Sequence, residues 1–536
     1  MSFDPDVFDY VILGGGSAGC VLAGRLSEDP SLRVLLLETG DRAERHPESL
    51  RADGYKDAFV NDDLLHHRFS VPQRHCGRRP LFLGSGRGMG GSGSINAMVY
   101  LRGSEADFRA WDVPGWGWSD VVPAYEQLER VLDVRSREPT EFTEACIAGA
   151  EEVGFHRERD LDRGELLGAL GYERMNYRGE QRRSAYVAFV QPHLDRINLV
   201  VRTGAHAHRL VLDDRRRVVA VEYEEGGTRR TAQVRREAVL CAGALESPKL
   251  LMLSGVGPRD VLRAHGIEPA FDLPGVGENL HDHPNVQLFY FGKRAVDCNY
   301  PQLYGFHRAL PESDLPADQA DTCYVFYPAR SSFREATMRM VPALTVPPAL
   351  YRRTRLPRLV KAGVGMAFRP GFVKRAVERV YGVVVILGKP KSRGTVRLAS
   401  ADPREQAAID PAYFADPEDM RAMIAGVRLA RRIAAAEGLR PWGGPEVLPG
   451  AFVRSDAALA AFVRRMAMTT YHYAGTCRMG QVPGSVVDPQ LRVRGVENLR
   501  VADASIIPEV PVSALNAPSM MIGWRAADLL RAAAAG

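Results

Sequence analysis

Apolar residues first gather into a pattern at Tyr10-Val11-Ile12-Leu13, a short run that reads as a buried parallel strand. The run breaks into Gly14-x-Gly16-x-x-Gly19, and Ala18 to Leu26 then repeats its apolar positions at helical spacing. A second run, Arg33 to Leu37, ends at Glu38. Farther on, Asn198 to Val211 and Val218 to Tyr223 look like the paired strands of a hairpin. Ala238 to Cys241 is another buried strand, opening into a turn and a helix closed by Gly255 and Gly257. Val121 to Leu132 is an amphipathic helix, and Asp416 to Glu437 keeps helical periodicity for longer. Tyr381 to Leu387 is a β-branched run typical of a central strand, followed by a strand at Gly394 to Leu398. The pattern is weakest from Tyr300 to Pro370. Asp41 to Arg68 is polar enough to read as a lid or long excursion, and Ala532 to Gly536 as a frayed tail. Strands that alternate with helices in this way predict an α/β fold.

The opening strand–turn–helix is the context in which a glycine fingerprint binds a dinucleotide. Gly14 permits the tight turn, Gly16 admits a pyrophosphate to the backbone, and Gly19 lets the helix lie close to the strand. The helix N-terminus then offers free N–H groups to phosphate. Glu38 follows about 20 residues after the glycines, where a carboxylate accepts ribose hydroxyls and repels a 2′-phosphate. A second glycine-rich stretch, Gly84 to Gly93, is flanked by apolar Leu81 to Leu83 and Ile95 to Leu101. Held between core elements, it reads as backbone pressed against a ligand in preference to a linker.

Composition narrows the classes. A chain of 536 residues has room for about three to four average domains, or two large ones. Its net charge of +5 is small for that length and argues against nucleic acid as the main partner. Seven scattered cysteines without a CxxC pair suit reduced thiols. Asp4, Asp6 and Asp9 occupy the place of a signal peptide's basic region, and no apolar run approaches the ~20 residues of a spanning helix, so a soluble cytoplasmic protein is expected. Arg352, Arg353, Arg355, Arg358, Lys361, Arg369, Lys374 and Arg375 form a basic tract interleaved with apolar residues. It reads first as a solvated helical face and second as a site for an anionic surface or partner.

The longer motifs add up to a family. Gly14 to Gly19, Gly86 to Tyr100, Gly243 to Gly257, Asp272 to Pro284, Tyr471-His472-Tyr473-Ala474-Gly475-Thr476-Cys477-Arg478-Met479-Gly480, Arg500 to Ser505 and Asn516 to Gly523 occur in one order. Together they resemble the glucose–methanol–choline oxidoreductases, flavoenzymes that oxidise alcohols. The resemblance implies a Rossmann-like FAD-binding domain assembled from residues 1–150, 195–290 and 460–536. A substrate domain with an antiparallel sheet would take 151–194 and 291–459. It implies FAD held by Gly14, Gly16, Ser17, Ala18, Gly19 and Glu38, and by Arg87, Gly90, Gly91, Ser92, Ser94, Asn96 and Ala97 of the glycine-rich loop. Ala207 would meet the adenine side and Ala242 the first turn after its strand. Asp503 and Ala504 would reach the pyrophosphate and ring, and Asn516, Ala517 and Pro518 the pyrimidine end. Some relatives hold FAD covalently through a histidine of the glycine-rich loop; the matching position here is Ile95, so non-covalent FAD is expected.

By the same resemblance His472 takes the proton of the substrate hydroxyl while flavin N5 receives the hydride. Asn516 matches the second active-site position, where an amide would hold the developing alkoxide, as in the choline-dehydrogenase-like branch. Tyr473 stands where proline often follows the catalytic histidine, and Tyr471 would wall the pocket; Met89 for Leu or Val is a near-isosteric change. His281 and His283 form an HxH, but the surrounding segment resembles one without a metal role, and no metal is expected there, at His66-His67 or at His206 and His208. The expected partners are a small-molecule alcohol and an electron acceptor, oxygen or another carrier, with the substrate, the acceptor and the oligomeric state unread. Competing readings are a hydroxynitrile-lyase-type reaction on the same scaffold, an NAD-linked dehydrogenase and a non-catalytic flavin-binding protein.

Overall fold

The computed structural model of the protein describes residues 6–535, so Asp4 and Gly536 lie outside the described residues. Strand β1 (Val7–Leu13) is buried from Phe8 onward, and β2 (Val34–Glu38) along its whole length. Burial on both faces is what an apolar run without alternation requires, and the two strands pair in parallel. The sheet continues through Leu199–Thr203 beside β2, Thr228–Leu240 beside β1, and Leu499–Val501 at the far side, all parallel. The 13-residue strand Thr228–Leu240 pairs with β1 along one edge and with two strands along the other. Its second half pairs in parallel with Leu499–Val501; its first half pairs antiparallel with Val218–Glu225, which in turn pairs with Ala205–Leu212. The stretch from Asn198 to Val211 is therefore two strands and not the single arm of a hairpin. Gly204, at φ +65°, breaks it, and only the part after the break forms the hairpin.

Helix α1 (Ser17–Leu26) follows β1 directly, and its packing explains one glycine. A Cβ on Gly19 would lie 2.0 Å from the Gly14 carbonyl oxygen, so no other residue lets the helix start this close to the strand end. The long helix Asn516–Ala535 crosses α1 at Gly523, where a Cβ would meet the Ala18 carbonyl oxygen at 2.4 Å. Arg25 locks the pair, stacking over the Trp524 ring and bridging Asp528 at 2.9 Å. This helix includes the alanines expected to fray, which are helical to Ala535.

A second, larger sheet runs in the order Glu446–Leu448, Pro284–Phe291, Val380–Leu387, Thr322–Pro328, Leu303–His307, Ala169–Tyr172 and His156–Arg157, with Met468–Thr469 added beside Pro284–Phe291. All its pairings are antiparallel except the last. Its two faces differ, as strand alternation demands. Val286, Leu288, Tyr290, Val383 and Val385 pack into a core with helix Pro417–Ala435, while Asn285, Gln287, Phe289, Val384 and Ile386 face a large cavity. The fold is thus an α/β Rossmann-like unit joined to an antiparallel-sheet unit, with the cavity between. The weakly patterned region Tyr300 to Pro370 supplies two central strands and the helices Phe333–Thr345, Pro348–Arg353 and Leu356–Ala367. Short helices opened by prolines, and strands whose second face lines a cavity, leave no clean period to read.

Candidate active site

The cavity measures about 1010 Å³, at the upper end of the range for small-molecule sites. One end is lined by Gly14, Gly16, Ser17 and Ala18, where β1 gives way to α1. No side chain caps α1, and the first amide tied into the helix is that of Cys20, donating to the Gly16 carbonyl. The N–H groups before it, with the helix dipole behind them, are left for an anionic ligand. The glycine-rich loop lies opposite as a 3-10 turn, Gly91–Ser94; Gly91 adopts φ +53°, and a Cβ there would be 2.9 Å from Gly16 Cα. Gly91, Ser92, Asn96 and Ala97 line the cavity, whereas Arg87, Gly90 and Ser94 support it from behind. Gly90 N–H donates to the Gly15 carbonyl and Ser94 Oγ to the Met89 carbonyl. Two glycine loops packed backbone to backbone, without room for Cβ atoms and with free N–H groups, suit a pyrophosphate.

Glu38, buried in the same wall, ties three loops together. Its Oε2 accepts Gly15 N–H at 2.9 Å, and its Oε1 accepts Gly40 N–H at 2.8 Å and Gly88 N–H at 3.0 Å. Burial raises its pKa against the pull of these bonds. One lone pair remains for a ribose hydroxyl. Asp503 does similar work at the far side of the sheet, accepting Gly243 N–H at 2.8 Å, Ser247 Oγ–H at 2.5 Å and Ser505 N–H at 2.8 Å. Ala207, Ala242, Asp503 and Ala504 reach the cavity; Gly19, Ala517 and Pro518 do not and act through packing. Ile95 lines the cavity within an apolar cluster of Ala58, Leu64 and Leu65, with no nucleophile in its place. These features fit a dinucleotide held without a covalent bond.

His472 lines the cavity too, on a loop fixed by a buried carboxylate that no local sequence signal marks. Asp282 accepts His472 backbone N–H at 2.7 Å, Thr469 Oγ–H at 2.5 Å and the Tyr413 hydroxyl. Burial pushes its pKa up to about 6. Tyr471, at φ +65°, turns the chain here, and Tyr471 and Tyr473 wall the cavity as expected. The His472 ring meets His283 edge-on, with the two Nδ1 atoms 2.9 Å apart. Burial lowers the His472 pKa to about 4, and burial followed by His472 lowers that of His283, so both rings are neutral at pH 7. One Nδ1 must donate and the other accept. His283 Nε2 has no partner of good geometry, but a contact with the Gly388 backbone favours a proton on that ring. With the proton on His283 Nε2, its Nδ1 accepts from His472 Nδ1–H. That leaves His472 Nε2 as a basic lone pair.

Asn516 lines the same cavity. Its Oδ1 accepts Ser17 Oγ–H at 2.9 Å and lies 3.0 Å from where a Gly93 Cβ would be. The side chain is thus tied to α1 and lies against the glycine-rich loop. Among the described residues no hydrogen bond joins it to His472. Asn285 is the amide near the histidine loop: its Nδ2 donates to Thr469 O at 3.1 Å and Thr470 Oγ1 at 2.9 Å, leaving Oδ1 buried without a partner. Nothing in one sequence marks Asn285 except its place two residues after the HxH. The HxH itself is tied up within the protein, His281 Nδ1 to the Asn279 carbonyl at 2.7 Å and His283 to His472. No metal-binding group of three or more His, Cys, Asp or Glu occurs among the described residues.

Residues 8–285 match the N-terminal and residues 390–523 the C-terminal domain of the family described as GMC oxidoreductase. The chain is 35% identical to the alcohol dehydrogenase [acceptor] of Pseudomonas putida, covering 98% of this chain and 96% of that one. It is 32% identical to the choline oxidase of Arthrobacter globiformis, covering 99% and 95%. Among solved structures it is similar to pyridoxine 4-oxidase from Mesorbium loti, with 29% identity, a TM-score of 0.84 and coverage of 98% and 99%. A formate oxidase variant of Aspergillus oryzae follows with 26% identity, a TM-score of 0.84 and coverage of 99% of both chains. With its two glycine loops, its buried histidine loop and this end-to-end likeness, the chain belongs to the GMC oxidoreductases, FAD-dependent enzymes that act on CH–OH donors.

Proposed function

We propose that the protein oxidises an uncharged primary alcohol with an aliphatic or aromatic body to the aldehyde, with His472 Nε2 accepting the hydroxyl proton. The observation that carries this reading is the neutral His472 ring in the cavity wall, its Nδ1 engaged by His283. FAD, when bound, supplies the hydride acceptor. Proton removal at Nε2 makes the alcohol carbon a better hydride donor, a contribution of about 10²–10⁴-fold. Asp282 fixes the backbone of the histidine loop, and Tyr471 and Tyr473 close water out around it. Asn285 Oδ1 is positioned to accept a substrate hydrogen bond, and we assign Asn516 to the cofactor because its amide oxygen is bound to Ser17.

The substrate class rests on the cavity wall built by the second sheet and its helices. Phe289, Tyr304, Val325, Tyr327, Phe333, Met340 and Ile386 dominate it, and no carboxylate stands among them to pair with a cation. Choline, named for one relative, is therefore the poorer candidate beside benzyl and medium-chain alcohols. The test is the visible spectrum of the purified protein mixed anaerobically with such alcohols. Bleaching of the oxidised-flavin band by benzyl alcohol or octanol, and its loss in His472→Gln, supports the reading. Bleaching by choline alone overturns the substrate class. A flavin that no alcohol bleaches, with cyanohydrin cleavage retained, overturns the reaction. Admitting air after bleaching separates oxygen from another carrier as the acceptor.

A further inference from the structure

Most cations of the basic tract are exposed to solvent, as on a solvated helical face, but large apolar side chains are exposed among them. From Ala336 to Val377 the sequence has nine Lys and Arg residues and neither Asp nor Glu, whereas the whole chain carries only +5. Arg339 and Lys361 turn inward to Asp62, Arg339 fully buried in doing so, while Arg358 reaches the same carboxylate at 3.9 Å from an exposed position. Arg353, Arg355, Arg369, Lys374 and Arg375 have no carboxylate within ion-pair reach among the described residues. Between these cations stand Leu344, Leu350, Leu356, Leu359, Met366 and Phe372, exposed by 43–68%. They are six of the eleven most exposed large apolar side chains among the described residues, and they fall within one short stretch of chain.

A single exposed leucine needs no explanation, but a cluster does. Short helices carrying uncompensated cations beside outward Leu, Met and Phe side chains have the composition of a segment lying in a lipid headgroup boundary. The cluster also adjoins the substrate cavity: Leu344, 59% exposed, and Met466, 37% exposed, both line it. We propose that the helices Pro348–Arg353, Leu356–Ala367 and Gly371–Val377 dock on an anionic bilayer surface, with the cavity mouth at the interface. Each observed feature has a place in that arrangement. The cations meet anionic headgroups, the apolar side chains enter the acyl boundary, and a water-insoluble alcohol passes into the cavity from the membrane. A polyanion such as nucleic acid would use the cations and leave the apolar residues without a role. A second copy of the chain would bring two such cationic patches face to face, which costs affinity through like-charge repulsion. Only the passage of alcohol rests on the function proposed above; the docking stands on the surface alone.

The test is co-sedimentation of the FAD-loaded protein with vesicles of phosphatidylcholine alone and of phosphatidylcholine with roughly one-third phosphatidylglycerol, at low and high salt. Binding to the anionic vesicles that weakens with salt is expected. Leu359→Ser with Phe372→Ser should lower the partition coefficient at least about tenfold through lost apolar burial. Arg353→Gln, Arg355→Gln, Lys374→Gln and Arg375→Gln together should do the same through lost attraction. Turnover of a soluble alcohol with a soluble dye should be unchanged in both variants, which separates docking from chemistry. The proposal is overturned if anionic vesicles leave the protein in the supernatant at low salt, or if the two serine replacements leave binding intact. It is equally overturned if the protein is a dimer in solution that those replacements split, or if duplex DNA captures it more tightly than the vesicles do.

Discussion

Replacing His283 with leucine would test the chemistry at its most exposed point, because His283 touches no substrate and acts only through His472. In the tautomer proposed above, His472 Nδ1–H donates across the 2.9 Å contact to His283 Nδ1, and the lone pair of Nε2 is left for the alcohol. Leucine removes the acceptor, so the active tautomer must bury an unpaired N–H at a cost of about 1–3 kcal/mol. The alternative tautomer, with the proton on Nε2, escapes that cost and has no base to offer. The active fraction should fall by about 5- to 150-fold, and kcat with it. Anaerobic stopped-flow reduction of the flavin by a saturating alcohol reads this directly. KM should move little, and the flavin content of the purified variant should equal that of the wild type. His283→Gln, whose amide oxygen restores an acceptor, should recover part of the rate. An unchanged reduction rate in His283→Leu, or a loss matched by loss of bound flavin, would refute the tautomer argument.

Other consequences are open to simple measurements. Asp282 has a pKa raised by burial from 3.8 to about 6, so its stabilising contribution is complete below pH ~4 and is lost as pH rises through 6. The wild type should give up about 3 kcal/mol over that window, and thermal melts of Asp282→Asn should show a flatter pH profile; equal slopes would contradict the assignment. Gly19→Ala forces a Cβ into the Gly14 carbonyl, so the variant should fold poorly around α1 and purify colourless, and a fully yellow Gly19→Ala protein would disprove the close packing described. Acid precipitation of the wild type should leave its flavin in the supernatant, since Ile95 offers no bond to it; colour retained in the pellet would show a covalent link.

The parts of the fold that could be read from the chain were those where one physical cause dominates. β1, α1 and Glu38 follow from burial on two faces and from glycines that have no room for a Cβ, and both causes write themselves locally. The split at Gly204 was missed because each strand on either side is short and similarly apolar, and only pairing partners separate them. Tyr300 to Pro370 was dim because its residues serve three surfaces at once: a core, a cavity wall and an exposed face. Within the site, His472 stood out through its motif. Asp282, Tyr413 and Thr469 did not, because their importance lies in one shared carboxylate across 187 residues of chain. Asn516 was legible as a functional residue, but which side of the cavity it serves depends on Ser17, almost the whole chain away.

That last contact ties the cofactor site to protein synthesis. Ser17 donates to Asn516, Ala18 is closed over by Gly523, and Arg25 is held by Trp524 and Asp528. Helix α1 is thus completed by a helix that starts 499 residues later, and every residue between must be made before the dinucleotide cradle has its second wall. A nascent chain can form the first strand and helix, but it cannot retain FAD until translation passes Asn516. Bound flavin would then report that translation has passed Asn516, and a premature stop anywhere upstream of it would leave a colourless protein with α1 uncovered and open to proteases.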